Sequence, residues 1–442
     1  MSDQDIHPSK YSILRDTYKY YIDSYNALYQ LKTEKEEELN SIYKMIKTEL
    51  IDSKKDLPQN VIRNILKIIK YKNRYTKSYL TLAKHIYDDY HVTEVSKFPL
   101  TPNFLFYKEY GIKLYKSADF RYIYVKKFEI HSENTIYRAI MYNDIETFIA
   151  FTERDGFDKD QKFRSDLYPE LFDPYSLLEL CSYHGAVDCF KFLRTKFNSY
   201  ISENCLALSF LGENPEIMSE CLKYQKPGGY CMKFAIASHN IDFVTFLMNK
   251  YKMRIRLCNC LRFKNLEAFF VKFDRTNNVD KCFIYSAKFG IPSLCDFFLS
   301  AGANINETDK KGKTALIYAA YNNRKDTTEL LIAKGANINI EDNSGRTALH
   351  KAARYNSKET AELLIENGAN INIKDKGGRT ALHKAARHNN KETAEILISL
   401  GANIDEVDEN ERTALDYAAW YESKETIELL LSHGARCNSL VF

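Results

Sequence analysis

DNSGRTALHKAARYNSKETAELLIENGANINIK, residues 342–374, is followed directly by DKGGRTALHKAARHNNKETAEILISLGANIDEV, residues 375–407. Within these, segments 345–372 and 378–405 are identical at 22 of 28 positions. The frame extends outward on both sides. Threonine recurs at Thr314, Thr347, Thr380 and Thr413, each followed by Ala-Leu, and aspartate at Asp309, Asp342, Asp375 and Asp408. A Gly-Ala pair recurs at Gly302, Gly335, Gly368, Gly401 and Gly434. A fixed period of 33 residues marks a stack of like units, none of which buries its apolar face alone.

The physics of one unit follows from its residues. Asp342-Asn343-Ser344-Gly345-Arg346 is rich in turn formers, and Gly345 is free to take φ > 0 where the chain reverses. Thr347 starts a helix through Leu349, Ala352 and Ala353, whose small side chains let neighbouring helices approach closely. A second helix is predicted from about Lys358 to Glu366, with Ala361, Leu364 and Ile365 on one apolar face. Gly368 stands where a left-handed C-cap is wanted. With its T-x-L-H core, Thr347 to His350 and Thr380 to His383, this period resembles the ankyrin repeat, a β-turn plus two helices. The expected fold is all-α, an α-solenoid of ankyrin repeats across residues 281–442.

Upstream of Gly302 the signal fades but persists. Segments near Ile136–Phe148, Leu177–Leu193, Leu206–Leu222, Cys231–Leu247, Leu257–Phe270 and Phe283–Leu299 share one grammar: a short helix, a polar break, then a second helix. Breaks from Gly185 to Gly290 lie about 26 residues apart. We read residues 133–280 as degenerate ankyrin-like helix pairs that lack the β-turn finger; the alternative is an unrelated helical domain. Residues 1–97 differ. Tyr18, Ile22, Tyr25, Leu28, Leu39, Ile42, Ile46 and Leu50, then Ile62, Ile65, Leu66 and Ile69, follow helical spacing and predict two or three long amphipathic helices. Phe98-Pro99-Leu100-Thr101-Pro102 marks the exit into a connector, residues 98–132. Tyr122-Ile123-Tyr124-Val125 alternates like a short strand.

The strings Tyr183 to Leu193, Glu213 to Met218 and Ser238 to Phe243 resemble a particular family, in which a domain of unknown function precedes ankyrin repeats, as in large protist ankyrin expansions. The resemblance covers nearly the whole chain. It implies an ankyrin-like helical stack, and no activity or catalytic residues.

Composition narrows the remaining classes. Sixty-three basic and 59 acidic residues leave a net charge of +4, which favours no partner class. No stretch approaches 18 apolar residues and Met1 to Lys10 is polar, so an intracellular, cytoplasmic protein is expected. Ten cysteines in 442 residues are too sparse for a disulfide scaffold. Gly312-Lys313-Thr314 resembles the end of a phosphate-binding loop, but Glu307 stands where that loop needs glycine. Cys258 and Cys260 lack the second ligand pair of a zinc site. His350 and His383 recur at the fourth position of the repeat core, where the resemblance to ankyrin repeats implies backbone hydrogen bonding between turns and not catalysis. With no nucleophile elbow, H-E-x-x-H helix or dinucleotide fingerprint, the chain reads as a non-enzyme with no catalytic residue, cofactor, metal or small-molecule substrate.

The expectation is a protein-interaction scaffold. On the concave side of stacked repeats two positions are free to vary: the turn tips and the helix residues just after the Ala-Ala pair. The tips supply Lys310, Lys311, Lys313, Asn343, Arg346, Lys376, Arg379 and Arg412; the helix ends supply Tyr321, Asn322, Arg354, Tyr355, Arg387, His388, Trp420 and Tyr421. Such a basic, aromatic face suits an acidic or phosphorylated protein partner. The alternative is nucleic-acid or anionic-membrane binding through Lys54, Lys55, Arg63, Lys67, Lys70, Lys72, Arg74, Lys77 and Lys84, with Tyr71, Tyr75 and Tyr79 interleaved and Asp56 the one acid between residues 54 and 84. Its plain counterpart is a solvated basic helix face with a tyrosine stripe packed on its neighbour.

Overall fold

A computed structural model describes residues 10–438 apart from 54, 96–98, 117, 122, 124–129, 131 and 172. The described residues are mostly helical, and their one strand pair joins Lys162–Phe163 antiparallel to Tyr175–Ser176. The chain divides into two compact units, Met1–Arg275 and Thr276–Phe442. The strand expected around Tyr122 to Val125 lies largely outside the described residues.

In the second unit the 33-residue period resolves into helix hairpins. Inner helices Ala315–Tyr321, Ala348–Arg354, Ala381–Arg387 and Ala414–Trp420 pack on one another in order, and each is backed by an outer helix, Lys325–Ala333, Lys358–Glu366, Lys391–Ser399 and Lys424–Ser432. The Ala pairs are what permit this: Ala319, Ala320, Ala352, Ala353, Ala385 and Ala386 are all fully buried. Each inner helix is followed by a residue in the left-handed region, Asn323, Asn356, Asn389 or Glu422, with φ of 50°, 54°, 54° and 53°. The first three are asparagines, the residue other than glycine that best tolerates this conformation. Their side chains also join repeats. Asn323 Oδ1 accepts from Thr360 Oγ1 at 2.9 Å, and Asn356 Oδ1 from Thr393 Oγ1 at 2.9 Å.

Fourteen residues connect each outer helix to the next inner one: 301–314, 334–347, 367–380 and 400–413. They hold the finger, and the recurrent residues build it. Asp342 N–H donates to Arg346 O at 2.9 Å, closing the turn, while Gly345 sits at φ 71°. A Cβ on Gly345 would lie 2.7 Å from the backbone nitrogen of Lys376 in the next finger, so both conformation and space require glycine. His350 accepts from Thr347 N–H through Nδ1 (3.2 Å) and donates to Arg379 O through Nε2 (2.9 Å); His383 repeats this with Thr380 and Arg412 O. These two histidines therefore hold backbone between repeats.

The first unit uses the same hairpin without the finger. Helix pairs Leu177–His184 with Val187–Phe197, Glu203–Gly212 with Pro215–Tyr224, Gly229–Ala237 with Ile241–Tyr251 and Leu257–Arg262 with Leu266–Thr276 follow one another. Their corners are again left-handed, at Gly185, Glu213, His239 and Lys264. Between pairs the chain takes only residues 198–202, 225–228 and 252–256. Large aromatics fill the interior, Phe210, Phe234, Phe263, Phe269 and Phe270 being fully buried.

The N-terminal segment differs from the two or three long helices expected. It forms Lys10–Thr17, Lys19–Tyr29, Glu36–Ile46 running into a π-helical turn, Pro58–Ile68 and Thr76–Asp89, with 3₁₀ turns across Ile69–Tyr71 and Asn73–Tyr75. The break near Lys72 has a physical cause. Lys72 is buried, its Nζ 2.7 Å from Glu213 and 3.3 Å from Leu211 O, and Asn73 Nδ2 reaches Leu167 O at 3.0 Å. The backbone N–H of Asn73 in turn donates to the Tyr183 hydroxyl at 3.2 Å, a tertiary bond in place of a helical one. Leu100–Tyr110 is also helical, with Pro102 in its first turn, where a missing N–H costs nothing.

Candidate functional site

Each finger is organised around its aspartate. Asp342 accepts from the N–H of Ser344 (2.9 Å) and Arg346 (3.2 Å), pairs with Arg346 Nε (3.1 Å) and meets Lys351 Nζ at 3.0 Å. Asp375 does the same with Gly377, Arg379 and Lys384, and Asp408 with Asn410, Arg412 and the Tyr417 hydroxyl. Burial opposes ionisation of Asp342, but hydrogen bonds from Arg346, Lys351 and Ser344 outweigh it and hold the carboxyl at about 2. Asp408 is likewise held at about 2, its burial outweighed first by the Tyr417 hydroxyl. Burial pushes Lys351 down to about 8 despite its partner. Arg346, Arg379 and Arg412 are therefore tied to their own turns, and only part of each guanidinium faces outward.

The tips are set by a backbone ladder. Asn343 N–H donates to Lys311 O (3.0 Å), Lys376 N–H to Ser344 O (3.0 Å) and Glu409 N–H to Gly377 O (3.3 Å). Lys310, Lys311, Asn343 and Lys376 project from it as exposed side chains. Lys313 is half-buried, its ammonium 5.2 Å from the Tyr318 ring and pushed down by burial.

The inner-helix ends form the second row. The Tyr321 and Tyr355 rings lie 4.3 Å apart across neighbouring repeats. The Arg354 guanidinium sits 5.4 Å from the Tyr355 ring, and Arg387 4.6 Å from Tyr421. Neither arginine has an acidic partner among the described residues, and the buried Arg387 Nε has no hydrogen-bond acceptor. Trp420 is 67% exposed, so the chain's only tryptophan lies on this surface and not in the core. His388 is exposed and Tyr421 44% exposed. Asn322 turns back onto its own helix, donating to Tyr318 O at 3.0 Å.

The same corner in the first unit is occupied by the N-terminal helices. The Tyr183 hydroxyl donates to Lys70 O (3.1 Å) and accepts from Asn73 N–H (3.2 Å). Glu213 receives both Lys72 and Lys32 at 2.7 Å. His239 stacks on Tyr29 with ring centres 4.2 Å apart, meets the Asn26 amide at 2.7 Å, and its backbone carbonyl accepts from Gln30. Residues at the positions left open in the 33-residue repeats are here closed by the chain itself.

Most of the basic run 54–84 is engaged by the chain itself, three of its cations by residues beyond the N-terminal helices. Lys70 pairs with Glu170, Lys72 with Glu213 and Lys84 with Asp88; Lys55 lies over the Tyr20 ring and Arg74 over Tyr142. Of the tyrosine stripe, Tyr79 is buried with its hydroxyl on Leu28 O (2.8 Å), and Tyr71 meets Phe263 edge-on at 5.0 Å. Lys54 lies outside the described residues. Cys258 is exposed while Cys260 is buried, and no group of three or more His, Cys, Asp or Glu among the described residues is placed to hold a metal. No helix among them is long and apolar enough to cross a membrane.

The partners nine residues after each aspartate, Tyr318, Lys351, Lys384 and Tyr417, were not singled out by the sequence pattern. Their signal was present as a 33-residue recurrence of a long polar side chain, but its identity changes, tyrosine in the outer two repeats and lysine in the middle two. Residues 283–375 and 370–440 match the family described as ankyrin repeats (3 copies). Residues 197–272 match the one described as domain of unknown function (DUF3447). No curated protein matches the chain.

Proposed function

We propose that this chain, which carries C-terminal ankyrin repeats behind a domain of unknown function, holds an acidic or phosphorylated segment of a protein partner on its finger tips and inner-helix ends. Ankyrin repeats are a protein–protein interaction module and are generally non-enzymatic. The observation that carries the reading is the pair Arg354 and Arg387, each lying over a tyrosine ring and neither neutralised by an acid among the described residues. A guanidinium held against an aromatic ring is already partly ordered, and its N–H fork matches a carboxylate or phosphate. Beside it, exposed Trp420 and Tyr421 offer apolar area at low entropic cost.

The test is a variant, Arg354→Ala/Arg387→Ala/Trp420→Ala, compared with wild type in pull-down and then against one captured protein. Losing a real anchor costs ~2 kcal/mol or more, about 30-fold in affinity. Association with wild type should also slow as salt rises. A variant that keeps its fold by circular dichroism and captures the same proteins with unchanged affinity overturns the assignment.

A further inference from the structure

Two described residues of the basic run, Lys67 and Lys77, are left without a hydrogen-bond, ion-pair or aromatic-ring partner among the described residues. Lys67 is the informative one. It lies in helix Pro58–Ile68, one turn before Tyr71, whose ring meets Phe263. Phe263 directly follows Arg262, the last residue of helix Leu257–Arg262, and that helix packs beside Gly229–Ala237, which carries Lys233. Lys67 and Lys233 therefore each lie on an element that adjoins Arg262, one through the Tyr71–Phe263 contact and the other through helix packing. Arg262 has no hydrogen-bond or ion-pair partner among the described residues, and Lys233 lies only over the Tyr230 and Phe234 rings, at 5.0 and 5.2 Å. The field of Arg262 acts on both lysines. Lys67 remains solvent-accessible, yet burial first, then Arg63 and Arg262, push its ammonium down to about 8.

Like charges gathered this way repel in the free protein. The carboxylate that Lys70, Lys233 and Arg262 all act on is Glu170, itself 89% exposed and bonded to Lys70 at 3.1 Å. An exposed pair of this kind is weak and easily exchanged. We infer that Lys67, Lys233 and Arg262 form a binding site for an anion bearing clustered phosphates, with Glu170 the resident counter-charge that such a ligand displaces. The site lies in the first unit and is separate from the partner-binding face proposed for the ankyrin repeats.

Calorimetric titration of the full chain with tripolyphosphate at low salt tests this, with vesicles carrying phosphatidylinositol bisphosphate as a second arm. The expected result is 1:1 binding of tripolyphosphate, weakened at least tenfold by Lys67→Gln or Arg262→Gln and tightened severalfold by Glu170→Gln. Lys67→Gln should unfold no earlier than wild type, because it relieves repulsion. Co-sedimentation with the vesicles in the same variant order identifies a lipid headgroup as the source; tripolyphosphate binding without it identifies a soluble polyphosphate. The inference is overturned if neither probe binds, if Glu170→Gln weakens binding, or if Lys77→Gln, from the same basic run, weakens it as much as Lys67→Gln.

Discussion

Between residues 177 and 276 a helix hairpin turns its corner every 25 to 28 residues; between 315 and 432 it does so every 33. The hairpins themselves are alike, with two or three residues between their helices and a left-handed corner in both regions. The difference is confined to the outer connection, four or five residues against fourteen. What the corner side chain does changes with it. In the finger-bearing repeats Asn323, Asn356 and Asn389 bond threonines of the following repeat. In the fingerless ones Glu213 and His239 bond the N-terminal helices. One backbone position therefore serves repeat-to-repeat stitching in one region and attachment of a covering segment in the other. A stack whose inner-helix ends bond the chain's own N-terminal helices is a poor place for a partner, whereas Arg354 and Arg387 bond no acid among the described residues.

The sharpest way to break this comparison is Lys72→Ala. It leaves Glu213, which is largely buried, with Lys32 alone, and removing one member of a buried ion pair costs about 4 kcal/mol. Hydrogen exchange should show lost protection in Glu203–Gly212 and Pro215–Tyr224, with the 315–432 helices unaffected. Equal loss in both regions would mean that the N-terminal segment does not act locally.

Acid provides a second, somewhat smaller test. Burial, which outweighs the hydrogen bond to Arg379 O, lowers His350 to about 4 from its ordinary 6.5. The folded state therefore binds fewer protons than the unfolded one between these values. Its stability is full above pH 6.5 and falls as pH drops toward 4, by about 3 kcal/mol, because each tenfold loss of proton affinity on folding is worth about 1.36 kcal/mol. His350→Gln keeps a donor and an acceptor but cannot titrate. Urea midpoints measured from pH 7 to 4 should fall less steeply for this variant in the 315–432 region. His239, lowered to about 3 by burial, should keep the acid sensitivity of the first unit. Parallel pH profiles for variant and wild type would show that the buried imidazole is not the cause.

The mildest change concerns the finger. Gly345→Ala places a Cβ at φ 71° and 2.7 Å from backbone, for an expected loss of about 2 kcal/mol in chemical denaturation. Gly368→Ala, at φ 93° with open space around it, should cost about half as much. Glu411 already occupies the Gly345-equivalent position at φ 60°, where its carbonyl meets the Asn438 amide in place of another finger. If the two glycine variants lose the same stability, contact between fingers is not what requires glycine at 345.

Much of this was legible in the residues. Helix Lys358–Glu366 falls on the predicted bounds, and Thr347 stands as the N-cap immediately before helix Ala348–Arg354. The exposure of Trp420 agrees with its reading as a surface residue. Less legible was which cations are free. Arg346 and Arg387 occupy different rows of one expected face, yet the first is bonded to Asp342 and the second to no acid among the described residues. That depends on the side chain four residues earlier or one repeat away, which periodicity does not rank. The segmentation of the N-terminal helices was hidden for a related reason. Lys72 and Asn73 continue a helical pattern locally, and their partners Glu213 and Leu167 lie about 140 and 94 residues away.

The amino-acid order alone determined the hairpin, its repeat length and the finger, because turn chemistry, capping threonines and small inner-helix residues act within a few positions of one another. Which corner is covered and which stays open, and which of many lysines and arginines lacks a counter-charge, was decided only by tertiary structure. Electrostatic pairing depends on distance in space, and folding brings together groups that the sequence keeps far apart.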